Sequence, residues 1–257
     1  MRSVSTEMRQ GILLLAFLFL AGCSGAYSGM PSGSFERGEA KFEDESWYDA
    51  VEDLRLFIRR SPTDPRAPQA QYMIATSRYK DEDYPVAAVE FEILRNDYPT
   101  SDLVDDAWFM QGMCYVQQVP KIELDQTPTR QAVQHFVRYL RENPGGKHRE
   151  EAEKELDKLN LHLDQKSMAA AQLYRRLRRW RAAAVTADAF LELRPDSELR
   201  PEMLLLAGEA HTQTVQWDRA RAVYESFLQE YPDHDGVKDA RKGLEKIDGA
   251  AAFGEDS

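Results

Sequence analysis

One spacing recurs five times along this chain: an alanine, an apolar or small residue four positions on, an apolar residue seven on and a proline twelve on. Ala50, Leu54, Phe57 and Pro62 carry it first, then Ala87, Phe91, Leu94 and Pro99, then Ala132, Phe136, Tyr139 and Pro144. Ala183, Ala187, Phe190 and Pro195 follow, and Ala220, Tyr224, Phe227 and Pro232 close the series. Three residues before the alanine stand Trp47, Tyr84, Trp180 and Trp217, with Thr129 in the third copy. Twelve before it stand Gly38, Ala75, Ala171 and Gly208; the third copy supplies Gly112 only if eight residues are inserted. Steps of four and three keep side chains on one face of a helix. A small residue in a first helix lets a second approach closely, and proline ends the second before the next begins. The spacing therefore predicts antiparallel helix pairs, each too small to bury its apolar face alone and stacked on its neighbours.

This small–aromatic–alanine–aromatic–proline signature resembles the tetratricopeptide repeat, and it runs from about Ser34 to Pro232. The expected fold is all-α: a superhelix of five such hairpins plus a C-terminal capping helix. Departures from the repeat divide the chain. Pro99 and Pro144 are eight residues further apart than the 37 that separate Pro62 from Pro99, and the excess falls in a loop from Gln117 to Pro128. There Thr127 reads as a helix N-cap with Pro128 as the first helical residue. Between Pro144 and Pro195 the excess is 14, and Ala152, Leu156, Leu159 and Leu163 continue one apolar face, predicting a single long helix from about His148 to Arg178. Repeats one to three (34–147) and the segment 148–248, with repeats four and five, are expected as two halves. Val237, Ala240, Leu244 and Ile247 predict the cap, and 249–257 a frayed, disordered tail.

Ahead of the repeats lies an address. Arg2 and Arg9 flank the apolar run Ile12–Leu20, and small residues follow, which together make residues 1–22 an export signal, too short to remain as a spanning helix. Leu20-Ala21-Gly22-Cys23 resembles the lipobox of bacterial lipoproteins. The resemblance implies cleavage before Cys23, diacylglycerol on its thiol and an acyl chain on its new amino group. Each buried methylene contributes roughly 0.8 kcal/mol, so several chains anchor firmly. Ser24, in place of the aspartate that retains lipoproteins in the inner membrane of enteric bacteria, implies the inner leaflet of the outer membrane, facing the periplasm. Residues 23–33 are Gly/Ser-rich and predict a flexible tether.

Charge narrows the function. Thirty-three Lys+Arg against 44 Asp+Glu give a net charge of −11, which argues against a nucleic-acid partner, because phosphate binding depends on cations displacing counterions. The five histidines share no metal-ligand spacing, Cys114 has no neighbouring His or Lys to activate it, and no phosphate loop or nucleophile elbow occurs. No enzyme, catalytic residue, metal or cofactor is expected beyond the acyl chains on Cys23.

A lipobox followed by five such hairpins resembles the BamD family. The resemblance is carried by Phe35, Gly38, Phe42 and Trp47-Tyr48-Asp49-Ala50, by Leu124-Asp125-Gln126-Thr127 in the lengthened loop, and by the long helix between repeats three and four. It implies a non-enzymatic lipoprotein of the β-barrel assembly machinery. Such a protein binds the periplasmic domains of the barrel subunit BamA, recruits unfolded outer-membrane proteins and works beside other lipoproteins of the complex. The alternative is a tetratricopeptide lipoprotein of another envelope system, a Tol–Pal-associated cell-division coordinator or a secretion pilotin. First-helix residues three before, one after and four after the small residue should line the concave face. In copies one to three these are Phe35, Glu39, Phe42; Tyr72, Thr76, Tyr79; and Phe109, Met113, Val116. In copies four and five they are Met168, Gln172, Arg175 and Leu205, Glu209, Thr212. Phe35, Phe42, Tyr72, Tyr79, Phe109 and Met113 are candidates for gripping a client strand, against the plainer reading that they pack between hairpins. Arg175, Arg176, Arg178, Arg179 and Arg181 are candidates for docking an acidic partner surface, against the plainer reading of a solvated face paired to nearby carboxylates.

Overall fold

Alanine carries nothing beyond Cβ, so two helices can close on each other wherever it recurs, and Ala50, Ala87, Ala132, Ala183 and Ala220 are all fully buried. The residues four and seven further on are buried in every copy as well, so the helical part of the signature is core, while the prolines that end each hairpin are exposed. The computed structural model describes residues 27–254. The export signal, the Leu20–Cys23 motif and Ser24 lie outside the described residues. Among these, secondary structure consists of eleven helices, none long and apolar enough to cross a membrane. They are α1 (Phe35–Glu43), α2 (Trp47–Arg60), α3 (Ala67–Lys80), α4 (Tyr84–Asp97), α5 (Val104–Val116), α6 (Thr127–Glu142), α7 (Arg149–Arg176), α8 (Trp180–Leu193), α9 (Arg200–Gln213), α10 (Trp217–Glu230) and α11 (Val237–Gly254). Each helix packs on the next within α1–α5 and within α6–α11.

Four hairpin turns share one closure. The first helix ends in a residue of left-handed conformation: Glu45 (φ 58°), Glu82 (φ 60°), Arg178 (φ 54°) or Val215 (φ 61°). The following N–H then reaches back five residues, from Ser46 to the Lys41 carbonyl at 2.8 Å, Asp83 to Arg78 at 2.9 Å, Arg179 to Tyr174 at 2.8 Å and Gln216 to His211 at 2.9 Å. That bond satisfies a carbonyl the helix end would otherwise leave open. The aromatic two residues after each left-handed position then starts the second helix.

The third copy departs, and with it the division of the chain. The described residues form two compact units that divide between Gln117 and Gln118, so the boundary falls at the start of the inserted loop and not ahead of the long helix, where the sequence places it. Helix α6 packs along α7, and the loop before it is fastened to α7 as well. His162 Nε2 lies 3.0 Å from the Pro120 carbonyl, and Lys166 Nζ donates to the carbonyls of Glu123 (3.1 Å) and Leu124 (3.2 Å). The long helix thus takes α6 with it. Thr127 is the first helical residue and not the cap; the Asp125 carboxylate accepts its N–H at 3.0 Å. The capping helix is also longer than expected, running on to Gly254 through most of the segment read as a frayed tail.

Residues 27–33, read as part of a flexible tether, are instead clasped to the first hairpin. Asp53, 3% exposed on α2, accepts the Gly33 N–H at 2.7 Å and meets Lys41 Nζ at 2.6 Å and Arg37 Nε at 3.2 Å. Arg60 donates to the Ser32 carbonyl at 2.8 Å, and the Tyr27 hydroxyl donates to Asp44. Burial alone would raise the Asp53 carboxyl, but the Lys41 ammonium, the Gly33 N–H and the Arg37 charge outweigh it and hold it below the usual aspartate range.

Candidate peptide-binding faces

In the first unit the aromatic residues at the concave positions of the first two hairpins reach sideways onto their own hairpins. Phe35 meets Phe57 edge-on at 5.5 Å, Phe42 meets Trp47 at 5.1 Å, Tyr72 meets Phe91 at 5.6 Å and Tyr79 meets Tyr84 at 5.2 Å. Such pairs hold rings in place beyond the area they bury. Phe35, 4% exposed, belongs to the hairpin-one core and offers no surface to a ligand, because its ring fills the gap between α1 and α2 beside Leu54 and Ile74. Phe42, Tyr72, Tyr79, Phe109 and Met113 are half-buried. Gln117 Nε2 donates to the Tyr79 hydroxyl at 3.2 Å, and burial pushes the Tyr72 phenol above its ordinary value. Cys114, fully buried on the same helix as Phe109 and Met113, has its thiol pushed up to about 12 by burial. It has no thiolate to offer as a nucleophile near neutrality.

The second unit holds an open groove of about 550 Å³. All six concave positions of copies four and five line it, and α11 adds Lys242 and Lys246, one helical turn apart. Its floor is Met168, Leu206 and Tyr224. Tyr224 reaches that floor between two glycines: a Cβ on Gly208 would fall 2.5 Å from its ring and one on Gly243 2.3 Å. Only residues without a side chain let the ring through. Arg175 Nε spans the groove to Glu209 at 2.7 Å.

Of the five arginines, Arg175 pairs with a carboxylate; Arg176, Arg178, Arg179 and Arg181 are exposed and make no ion pair among the described residues. They surround half-buried Trp180 in two further depressions, of about 710 and 580 Å³, with Gln213 and exposed Val215. Lys242, Lys246, Gln213 and Trp180 were not singled out from sequence for this site. The i,i+4 lysine pair on the cap was the available signal.

The Leu124-Asp125-Gln126-Thr127 element is ordered by its own side chains. Gln126 Nε2 donates to the carbonyls of Lys121 (2.9 Å) and Leu124 (3.1 Å), and Thr129 Oγ1 donates to Gln126 Oε1 at 2.7 Å. The Thr127 hydroxyl and N–H hold the Asp125 carboxyl below its usual range. Leu124 is left 58% exposed at the rim of a cleft shared with Val185 and Leu193.

Residues 28–225 match the YfiO family, described as an outer membrane lipoprotein. Among curated relatives, the outer membrane protein assembly factor BamD of Vibrio cholerae is 24% identical over 217 residues, 79% of this chain and 89% of that protein. BamD of Xylella fastidiosa (strain Temecula1) is 24% identical over 246 residues, 88% of this chain and 83% of the relative. That of Caulobacter vibrioides is 23% identical over 177 residues, covering 69% and 58%. Among solved structures, the TPR2AB-domain:pHSP90 complex of yeast Sti1 matches with a TM-score of 0.40 at 12% identity, over 83% of this chain and 81% of that one. The match over residues 28–225 takes in four complete hairpins and most of the fifth, and the chain belongs to the YfiO family of outer membrane lipoproteins.

Proposed function

We propose that this protein is a lipid-anchored, non-catalytic component of the machinery that assembles β-barrel proteins in the outer membrane. The family match across residues 28–225, with assembly factors named BamD as relatives along most of the chain, is the observation that carries the reading. In it, Cys23 bears diacylglycerol and an N-acyl chain, and the protein sits on the periplasmic face of the outer membrane. The clasp sharpens the anchor. Tyr27 is four residues after Cys23, a span of at most ~14 Å, and its side chain is tied to Asp44 at the end of α1, so the first hairpin stays near the lipidated residue. The barrel subunit's periplasmic domains dock on the arginines of the second unit, and unfolded clients are received on half-buried side chains of the first, the aromatics Phe42, Tyr72, Tyr79 and Phe109 with Met113. An extended client strand gains about 25 cal/mol per Å² of apolar area it hides there.

Depletion tests the role. Loss of the protein should empty the outer membrane of porins while periplasmic proteins are unaffected, and Cys23→Ser should release the protein from membranes and give the same defect. Normal porin levels after depletion, with a division defect instead, would place the protein in a different envelope system.

A further inference from the structure

The three depressions of the second unit are one trough. The first and second share Gln172, Arg175 and Gln213, and the second and third share Arg178, Trp180 and Gln213. The path therefore runs from Lys242 and Lys246 on the cap, over the Tyr224 floor, to the arginines at the turn between α7 and α8. Seven cationic side chains line it against three carboxylates, on a protein whose net charge is −11. Cations held together against that overall balance attract an acidic ligand. The floor of Met168, Leu206 and Tyr224 is apolar and lies between the two cationic ends, so a ligand that spans them passes an apolar seat midway. An extended chain can follow such a path from one cationic end to the other.

We infer that the trough binds an extended acidic segment of a partner polypeptide, with one large apolar side chain seated over Tyr224 and carboxylates on both sides. This rests on the reading of the five arginines as docking residues, and specifies what they dock. Glu209 now occupies Arg175, and a ligand carboxylate takes its place.

The probe is a fluorescent peptide of alternating Asp and Glu with one central Phe, titrated by anisotropy against the full-length protein in detergent. It should bind, at least tenfold tighter than the same peptide with Ser for Phe, and a Lys/Arg peptide should not bind. Arg176→Glu with Arg179→Glu at one end, and Lys242→Glu with Lys246→Glu at the other, should each weaken it at least tenfold. Gln172→Trp, at an exposed position where two depressions meet, should block it, while Glu209→Gln should tighten it several-fold by freeing Arg175. All these sites are on the surface or half-buried, and unchanged circular dichroism and melting control for folding. If only the arginine variants weaken the peptide, the trough is overturned and a local arginine patch remains. If no peptide binds but the arginine variants still abolish capture of the barrel subunit, the trough is overturned while the docking reading stands. If both capture and peptide binding are indifferent to the arginines, both fall. Binding to phosphatidylglycerol vesicles through the same arginines, without peptide binding, would overturn it in favour of a lipid surface.

Discussion

The two units are built from the same helical pair, yet their concave faces differ. In the first unit large aromatics stand at the concave positions, and Phe35, Phe42, Tyr72 and Tyr79 turn edge-on against a ring of their own hairpins, so the face is partly filled from within. In the second, Met168, Gln172, Arg175, Leu205, Glu209 and Thr212 occupy the same positions, find no such rings, and leave a groove. The helices and their cores are alike; three side chains per repeat decide what is presented. In the proposed reading, what each unit binds is set by those positions and not by the fold.

The comparison can be broken most forcefully in the cores. Phe91→Ala in the first unit and Phe227→Ala in the second each remove a fully buried ring and should cost about 4 kcal/mol. If the units open separately, hydrogen exchange will show loss of protection confined to the mutated one, and alkylation of buried Cys114 will accelerate with Phe91→Ala but not with Phe227→Ala. Equal acceleration by both would mean one cooperative body.

Buried carboxylates give the next contrast. Asp53→Asn strands Lys41, whose side chain is only 10% exposed, and should cost about 3 kcal/mol. Asp164→Asn in the second unit leaves Arg194, 38% exposed and able to turn to water, and should cost about 1 kcal/mol. Because the folded Asp53 carboxyl lies below its unfolded value, the clasp's contribution is whole above about pH 4 and is lost as pH falls through the folded value. Acid titration of stability should therefore be shallower in Asp53→Asn; an unchanged acid limb would remove the clasp from the account.

Smaller effects probe the groove. Gly243→Ala drives a methyl to 2.3 Å from Tyr224 and should cost about 2 kcal/mol in melting experiments. Val215→Gly should do the reverse. A β-branched residue at φ 61° is strained, and glycine there should raise stability by roughly 0.5 kcal/mol despite its greater freedom in the unfolded chain.

The repeat was legible because it is local and periodic: buried alanines, turn aromatics and helix lengths all follow from spacing within one hairpin. The long helix was read from the same periodicity and lies within two residues of its expected ends. What sequence hid were contacts across distance. Asp53 sits among charged neighbours on α2 and looks like any exposed acid; its partners lie 12 to 20 residues upstream. Glycine usually marks a left-handed turn, and here Glu45, Glu82, Arg178 and Val215 fill that position, so residue type gave no signal. The unit boundary was misplaced because the inserted loop looked like a detour within a hairpin, whereas Lys166 and His162 bind it to the long helix.

Purification from detergent-solubilised membranes, by a tag at Ser257, tests the central claim most directly. The account predicts recovery of a large β-barrel protein with periplasmic repeat domains, lost when Arg176 and Arg179 are both changed to Glu. Recovery of Tol components in its place, with no barrel protein, would contradict it.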